Sequence, residues 1–409
     1  MRQFWCVVVL LLFAVSAQAQ TVTVVETFVT YGTEAQLEGV IAGDATVFTD
    51  FRAGSADIFW STEQGDILPL SLWPSSQTQP AVSGTTVVFV SDYAGDENIH
   101  TVDLLTGSET LLTYNSDRDY APAISQENVV FVSERAGTPD IFWCSMVTGD
   151  VLPLATTDGY EQAPAIDGNL VAWQVYGTDR NYDIFATVLN GTPVLVAGGA
   201  GDQAQPSVSG SLIAYRSDGD VFVYDHATGQ TTQITADGIL HQNIVIDGRR
   251  VYWQDDSSGN QDIYVHDLDS VLTFQLTFDP TDQVLTDAKG NRVVFTDYRL
   301  GNANIMSLTY TINTPPLAAA GADQDVYLGD TAQLVGAASD ADGDAIVSWQ
   351  WTLDSAPEGS SAILSDSTIA APIFTPDYTG SYILSLMVFD GLDTFEASAS
   401  LDYVVWLVS

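Results

Sequence analysis

Positive charge is scarce in this 409-residue chain. It has 11 Lys+Arg against 53 Asp+Glu, so the formal net charge is 11 − 53 = −42. Lys289 is its single lysine. Binding along a nucleic-acid backbone needs clustered Lys and Arg, so nucleic acid is excluded as a partner. Docking on anionic lipid is disfavoured by the same sign of charge. The acidity is global; it fits salty surroundings, where screening tolerates self-repulsion, or retained divalent cations.

Cysteine is nearly absent as well. Cys6 lies in an N-terminal leader, which leaves Cys144 without an intramolecular partner. The fold must then rest on its core, and Cys144 reads as a small buried hydrophobe in a strand. Histidine is limited to His100, His226, His241 and His266, none in a close metal-binding spacing. The chain has no G-x-S-x-G, no H-E-x-x-H, no P-loop and no dinucleotide fingerprint after a strand. No catalytic residue is assigned. Beyond the leader no run approaches 18 apolar residues, so no membrane span is expected.

The leader itself is legible. Arg2 supplies a positive start, Trp5 to Val15 an apolar run, and Ala17-Gln18-Ala19 a cleavage site. Residues 1–19 are expected to be a signal peptide, with the mature chain starting at Gln20 and exported to the periplasm or the exterior. Hydrophobic residues make up 46% of the chain, enough for a packed core.

The strongest signal is a repeat. Asp57-Ile58-Phe59, Asn98-Ile99-His100, Asp140-Ile141-Phe142, Asp183-Ile184-Phe185, Asp220-Val221-Phe222, Asp262-Ile263-Tyr264 and Asn304-Ile305-Met306 are spaced by 41, 42, 43, 37, 42 and 42 residues. That period is one four-stranded propeller blade. Each unit opens with a short strand such as Pro122-Ala123-Ile124 and continues with an apolar run such as Val129-Val130-Phe131-Val132. A polar turn, the Asp-Ile-Phe strand and a fourth strand such as Val151-Leu152-Pro153-Leu154 follow. Continuous apolar runs suit strands covered on both faces. The seventh unit stops after its third strand, while an orphan strand, Val24 to Thr30, stands at the N-terminus. Placing the orphan beside that third strand closes the ring and removes its open edges.

Segments such as "AISQENVVFVSERAGTPDIFWCSMVTGDVLPL" resemble the TolB-like propeller repeat, with its S-x-R-x-G-x-x-D-I-[FY] core, over about Val24 to Thr309. The resemblance implies a propeller over 20–312. Asn313-Thr314-Pro315-Pro316 reads as a linker. Residues 317–409 then change to separate short strands, including the alternating Ser348-Trp349-Gln350-Trp351, as in a small Ig-like sandwich. The elements A-G-x-D-Q, S-D-x-D-G-D, W-x-W and G-x-Y-x-x-x-L-x-V-x-D-G occur in order and resemble a PKD domain. That resemblance implies a spacer or adhesion module and no catalysis. The expected fold is all-β: a seven-bladed β-propeller followed by an Ig-like β-sandwich.

Two groups of residues are candidate sites. His241 precedes a first strand, and Gln77, Asp119, Glu161 and Gln203 align with it, with Asp282 one step later. These six are expected to ring one mouth of the channel as a polar ligand site; a solvated rim without ligand is the alternative. Asp119 and Glu161 have the chemistry of an acid–base pair. In the C-terminal region Asp340, Asp342 and Asp344 have the spacing of a calcium loop, since hard oxygens at alternate positions can converge on one cation. A turn satisfied by local hydrogen bonds explains the same residues. From Thr314 onward there are 14 Asp+Glu and no Lys or Arg, so calcium there would relieve repulsion. The expected function is an exported, monomeric, non-catalytic binding or scaffold protein, with an envelope or extracellular protein or polysaccharide as partner. The alternative is a lyase-like, polysaccharide-active enzyme at the channel mouth, which requires several imidazoles to converge on a metal.

Overall fold

The computed structural model describes residues 21–406, except 63, 64, 72, 94, 179 and 392–396. The leader and its cleavage site lie outside the described residues. Among the described residues every regular element is a strand. Val24–Tyr310 forms one compact unit, and the residues from Thr311 belong to a second.

The first unit is seven four-stranded sheets, one per repeat. The third blade is typical. Asn128–Ser133 is its second strand and is buried from Val129 to Ser133. It pairs antiparallel with Asp119–Ser125 on the axial side and with Asp140–Ser145 outside, and Val151–Ala155 completes the sheet. Burial on both faces explains the unbroken apolar run. The core lies between blades: Val130, Val132 and Ile141 pack with Val171 and Trp173 of the next blade. Truncating such a side chain, Phe131→Ala for example, should cost about 3–5 kcal/mol. An aromatic pair bridges strands two and three in six blades, as in Phe131–Phe142 at 6.3 Å. His100 occupies that place in the second blade, 5.5 Å from Phe89. Cys144 is buried, and burial pushes its thiol up to about 11, which keeps it inert.

Closure uses the N-terminal strand Thr21–Phe28, which takes the outer place beside Asn304–Asn313 in the seventh blade. The clasp that follows it is the one used inside other blades. Val29 N and Thr30 N donate to Ile305 O, at 2.9 and 3.1 Å, and Ile305 N donates to Thr30 Oγ1 at 2.8 Å. In the second blade Leu112, Thr113 and Ile99 make the same three bonds. Thr235 and Thr277 repeat the hydroxyl bond in blades five and six. The third strand of the seventh blade, Asn304–Asn313, runs past Thr309, where the likeness to the repeat ends.

Two further rings of bonds tie the blades. At one end, the last residue of an inner strand accepts from a turn amide of the next blade. Ser83 accepts from Gln126 N, Ser125 from Gly168 N, Asp167 from Gly210 N, Ser209 from Gly248 N and Asp247 from Gly290 N, at 2.7–2.9 Å. At the closing seam Arg292 does this work, donating to Gly43 O, Ala45 O and Thr46 Oγ1. Midway along the inner strands, bulges carry residues at positive φ: Glu38, Gln79, Ala121, Ala163, Gln205 and Asn243. Glu38 accepts from Gln79 N and Gln79 from Ala121 N, both at 2.7 Å; Gln205 accepts from Asn243 N at 3.0 Å. Proline follows the bulged residue in four blades and brings no N–H to leave unpaired there.

The second unit is a β-sandwich. One sheet orders Gln324–Tyr327, Ala397–Trp406, Gly380–Phe389 and Ser348–Ser355; the other orders Ala332–Gln333, Ile373–Thr375 and Ile363–Leu364. Trp351, Phe374, Tyr382 and Leu386 are core residues. Tyr382 forms a tyrosine corner: its hydroxyl donates to Tyr378 O at 3.0 Å and accepts from Tyr378 N at 3.0 Å.

Candidate functional site

The connections between blades and the turns between second and third strands lie on the same face of the propeller, because the strands alternate in direction. Each connection ends at the start of an inner strand: Gln77 and Asp119 are first residues, Glu161 is the second, and His241 immediately precedes its strand. Their main-chain N–H groups donate to the residue before the recurring acid of the preceding blade: Gln77 to Ala56 O, Asp119 to Glu97 O, Glu161 to Pro139 O and His241 to Gly219 O, at 2.7–3.0 Å. The position therefore joins one blade to the next.

The structure corrects the expectation of an open polar mouth at these residues. Gln77, Asp119, Glu161, Gln203 and His241 are each at most 4% exposed. Gln77 Nε2 donates to Ser75 O at 2.8 Å, and Gln203 Nε2 to Gly201 O at 3.2 Å. These amides satisfy carbonyls of their own connections, so the turn geometry pulls them inward. Asp282 is exposed and accepts from Gln261 N; the ring position of the seventh blade belongs to buried Gln283, whose amide returns to Thr281 O. Gln36 fills the place in the first blade. Glutamine thus recurs in four blades, and the other three depart from it.

Each departure has its own partner. Asp119 is gripped by Arg135 Nη2, 2.8 and 3.1 Å from its oxygens, and by Asn115 Nδ2 at 2.6 Å. The same guanidinium lies over Phe142, 4.7 Å from the ring centre. Glu161 meets Asp140 rather than Asp119, and burial raises both carboxyls above their ordinary range. Asp140 Oδ1 and Glu161 Oε2 are buried and receive no donor, so the two can hydrogen-bond only while one keeps its proton. His241 faces Asp220 and Asp237, close enough for one atom from each to hold a metal ion. No second imidazole joins that group among the described residues.

In the sandwich, Asp340, Asp342 and Asp344 do converge, with ligand atoms within 4.8 Å of one another. Asp340 Oδ1 also accepts from Asp342 N at 2.8 Å and Asp344 N at 3.1 Å, which is the local turn chemistry of such a sequence. Asp344 is raised, by desolvation first and then by the neighbouring charges of Asp340, Asp342 and Asp390. The acidic groups could hold a metal ion.

Trp73, beside Pro74 in the connection between the first and second blades, is one of several exposed rings. The exposed aromatic residues described in the propeller are Tyr31, Trp73, Tyr93, Tyr114, Tyr160, Phe278 and Tyr298. All seven lie on the face of the blade connections. Trp73 and Tyr93 touch, with ring centres 4.5 Å apart. Exposed Asp92, Asp117, Asp158, Asp237 and Asp282 stand among them. The signal was available: an aromatic recurs in successive connections, outside the strand motif.

Comparisons with known proteins agree with this architecture. Residues 320–401 match the family model of a PKD domain. No curated protein matches the chain. An oligogalacturonate lyase from Vibrio parahaemolyticus is similar in structure, with TM-score 0.55 and 13% identity over 71% of this chain and 96% of that one. The propeller domain of the Trilobed protease from Pyrococcus furiosus is similar at TM-score 0.53 and 11% identity, over 68% and 94%. TolB from Acinetobacter baumannii is similar at TM-score 0.41 and 16% identity, and the match spans 56% of this chain and 61% of TolB. At such identities the likeness to the lyase and the protease domain shows the fold alone, a β-propeller; the seven blades and the closing N-terminal strand are read from the sheets of this chain, and the PKD domain from the family match. No described helix is long and apolar enough to cross a membrane.

Proposed function

We propose that the chain is an exported, non-catalytic binding protein of the envelope or secretome, which holds a protein or glycan on the aromatic face of its propeller and uses the PKD module as an adhesion or spacing element. The observation that carries this reading is the division of labour on that face. The polar ring residues are buried in the joints between blades, while the aromatics stand exposed. Aromatic rings set among carboxylates suit sugar rings, which stack on one and hydrogen-bond to the other, and suit basic protein segments. The same acids repel polyanions at short range.

The second reading is a lyase-like enzyme, and the likeness to an oligogalacturonate lyase is its motive. Its substrate would be a uronate polymer, which the acidic face disfavours, and its metal chemistry would need imidazoles that are scattered here. The deciding experiment incubates the full mature chain with neutral and uronate-containing polysaccharides and with envelope proteins, with calcium and with chelator. Retention of an intact neutral polymer or of a defined protein, lost in Trp73→Ala, supports the binding reading. Shortened uronate chains with new unsaturated ends would overturn it.

A further inference from the structure

We propose that His241, Asp237 and Asp220 form a binding site for a first-row divalent cation of the zinc type, which clamps the fifth blade to the sixth. Asp220 begins the third strand of the fifth blade, Asp220–Asp225. Asp237 lies in the connection that follows, and His241 immediately precedes the inner strand Gln242–Asp247 of the sixth. One ion would therefore touch the blade, the connection and the start of the next blade.

The imidazole carries the argument. His241 is 1% exposed, and its Nδ1 lies 2.8 Å from Gly219 O. A carbonyl can only accept, so Nδ1 holds a hydrogen and Nε2 points the other way. Among the described residues no hydrogen bond reaches Nε2. Facing it are two acceptors, Asp237 Oδ2 at 3.5 Å and Asp255 Oδ2 at 3.7 Å. Two carboxylates facing one ring nitrogen call for a positive charge between them. An N–H to a backbone carbonyl is also the usual way a metal-binding histidine is oriented. Two ligands at about 2.0–2.1 Å from a tetrahedral ion stand about 3.4 Å apart; the His241–Asp237 separation is of that size. Asp220 completes the group, with its ligand atom within 4.8 Å of the others.

Asp255 belongs to the surroundings. Its Oδ2 accepts Trp253 Nε1 and its Oδ1 accepts Ser257 N, both at 2.9 Å, whereas Asp220 is held more loosely, accepting Gln233 Nε2 and Thr235 Oγ1 at 3.3 Å. Asp220 and Asp237 balance the charge of a dication, and an imidazole ligand favours zinc-like ions over calcium or magnesium, which take oxygen. Access exists: the Asp237 side chain is 48% exposed, and a cavity of about 330 Å³ opens beside it, lined by Asp202, Arg216 and Gly238 among others. Water can complete the coordination from that side.

The contrast with other blades sharpens the point. Where His241 stands, Gln36, Gln77, Gln203 and Gln283 donate to carbonyls of their own connections. Histidine with Nδ1 committed to Gly219 O faces carboxylates there instead, Asp237 from the connection and Asp220 from the preceding strand.

The test uses the full chain, stripped with chelator and dialysed. Calorimetric titration with Zn²⁺ alone, repeated in excess Ca²⁺, reads the site; the visible spectrum of Co²⁺ reads its geometry. One Zn²⁺ per chain should bind in the presence of Ca²⁺ and raise the melting temperature. His241→Gln, which installs the residue of the other blades, should abolish that event and the Co²⁺ signal while the metal-free protein melts as wild type. Asp237→Asn, on the exposed connection, should weaken binding by at least about tenfold. Equal Zn²⁺ binding by wild type and both variants would overturn the proposal. So would the absence of any Ca²⁺-resistant site in wild type, which would mean that an imidazolium held by the carboxylates fills the place.

Discussion

Ring closure by the N-terminal strand can be tested at one hydroxyl. Thr30 is 1% exposed, and its Oγ1 accepts the amide of Ile305 at 2.8 Å, across 275 residues of chain. Thr30→Val keeps the shape and removes the acceptor, so no cavity forms and the main-chain bonds of Val29 and Thr30 to Ile305 O persist. One buried N–H is left unsatisfied, which costs about 1–3 kcal/mol. Thr277→Val removes the equivalent bond to Ile263 N, 2.9 Å long, within the sixth blade. Thr277 Oγ1 also donates to Asp262 Oδ1 at 2.9 Å, so Thr277→Val loses a second bond and should cost at least as much as Thr30→Val. In urea, with a slope of about 3 kcal/mol/M for a unit of this size, each midpoint should fall by about 0.3–1 M. Hydrogen exchange should show the Ile305 amide losing protection in the first variant and the Ile263 amide in the second. If Thr30→Val left both the midpoint and the Ile305 amide unchanged while Thr277→Val did not, the N-terminal strand would not be closing the ring.

Other predictions follow from buried acids, from the tyrosine corner and from the aromatic face. Glu161→Gln should stabilise the propeller by about 0.5–2 kcal/mol near neutral pH. Glu161 and Asp140 are raised by burial, so they weaken the fold as pH rises from their unfolded values, near 4, through their folded ones. Melting curves of wild type and variant should therefore converge below about pH 4. Asp377 behaves oppositely: hydrogen bonds from Ser360 first, then Ser361, hold its carboxyl down to about 2. Its contribution to the sandwich is complete above about pH 4 and is lost as pH falls towards 2, and Asp377→Asn should flatten that acid limb in circular dichroism. Tyr382→Phe loses the corner bonds and should cost the sandwich about 1–2 kcal/mol in chemical denaturation. Trp73→Ala should abolish ligand retention with a stability change within about 0.5 kcal/mol, since the residue is exposed.

Much of the fold was legible because the repeat carries it redundantly. Asp140-Ile141-Phe142 alone is a weak motif; seven copies in register give strand order, blade number and the missing outer strand that Thr21–Phe28 supplies. The candidate site was legible only in part. Counting from the repeat places Gln77, Asp119, Glu161, Gln203 and His241 at one position, and the structure brings them to equivalent joints. Counting does not give the direction of a side chain. Whether Gln77 faces the axis or turns back to Ser75 O depends on the connection, and connections vary in length and composition from blade to blade. One residue of drift put Asp282 in the place of Gln283. The bulges were hidden for a related reason: the prolines after Gln79, Ala121, Ala163 and Gln205 mark a strand interruption, but the positive φ before them is a tertiary accommodation.

These residues also separate architecture from chemistry within a repeat. A side chain present in nearly every blade serves what every blade needs. The glutamines at the joint are of that kind, each satisfying local carbonyls. Asp119, Glu161 and His241 occupy the same joint, yet one recruits Arg135, one meets Asp140 with both carboxyls raised by burial, and one faces Asp220 and Asp237. The backbone demand is constant across the three, so the difference lies in the side-chain chemistry. Replacing each by glutamine therefore measures what its departure contributes. Glu161→Gln should remove a burden and stabilise. Asp119→Gln should strand the Arg135 guanidinium over Phe142 without its carboxylate and destabilise. His241→Gln should leave the metal-free fold intact and remove only the ion. Three substitutions at one structural position, with three different signs, would tie each effect to the partner rather than to the joint; a common loss of stability in all three would show that the position tolerates glutamine only where the connection was built for it.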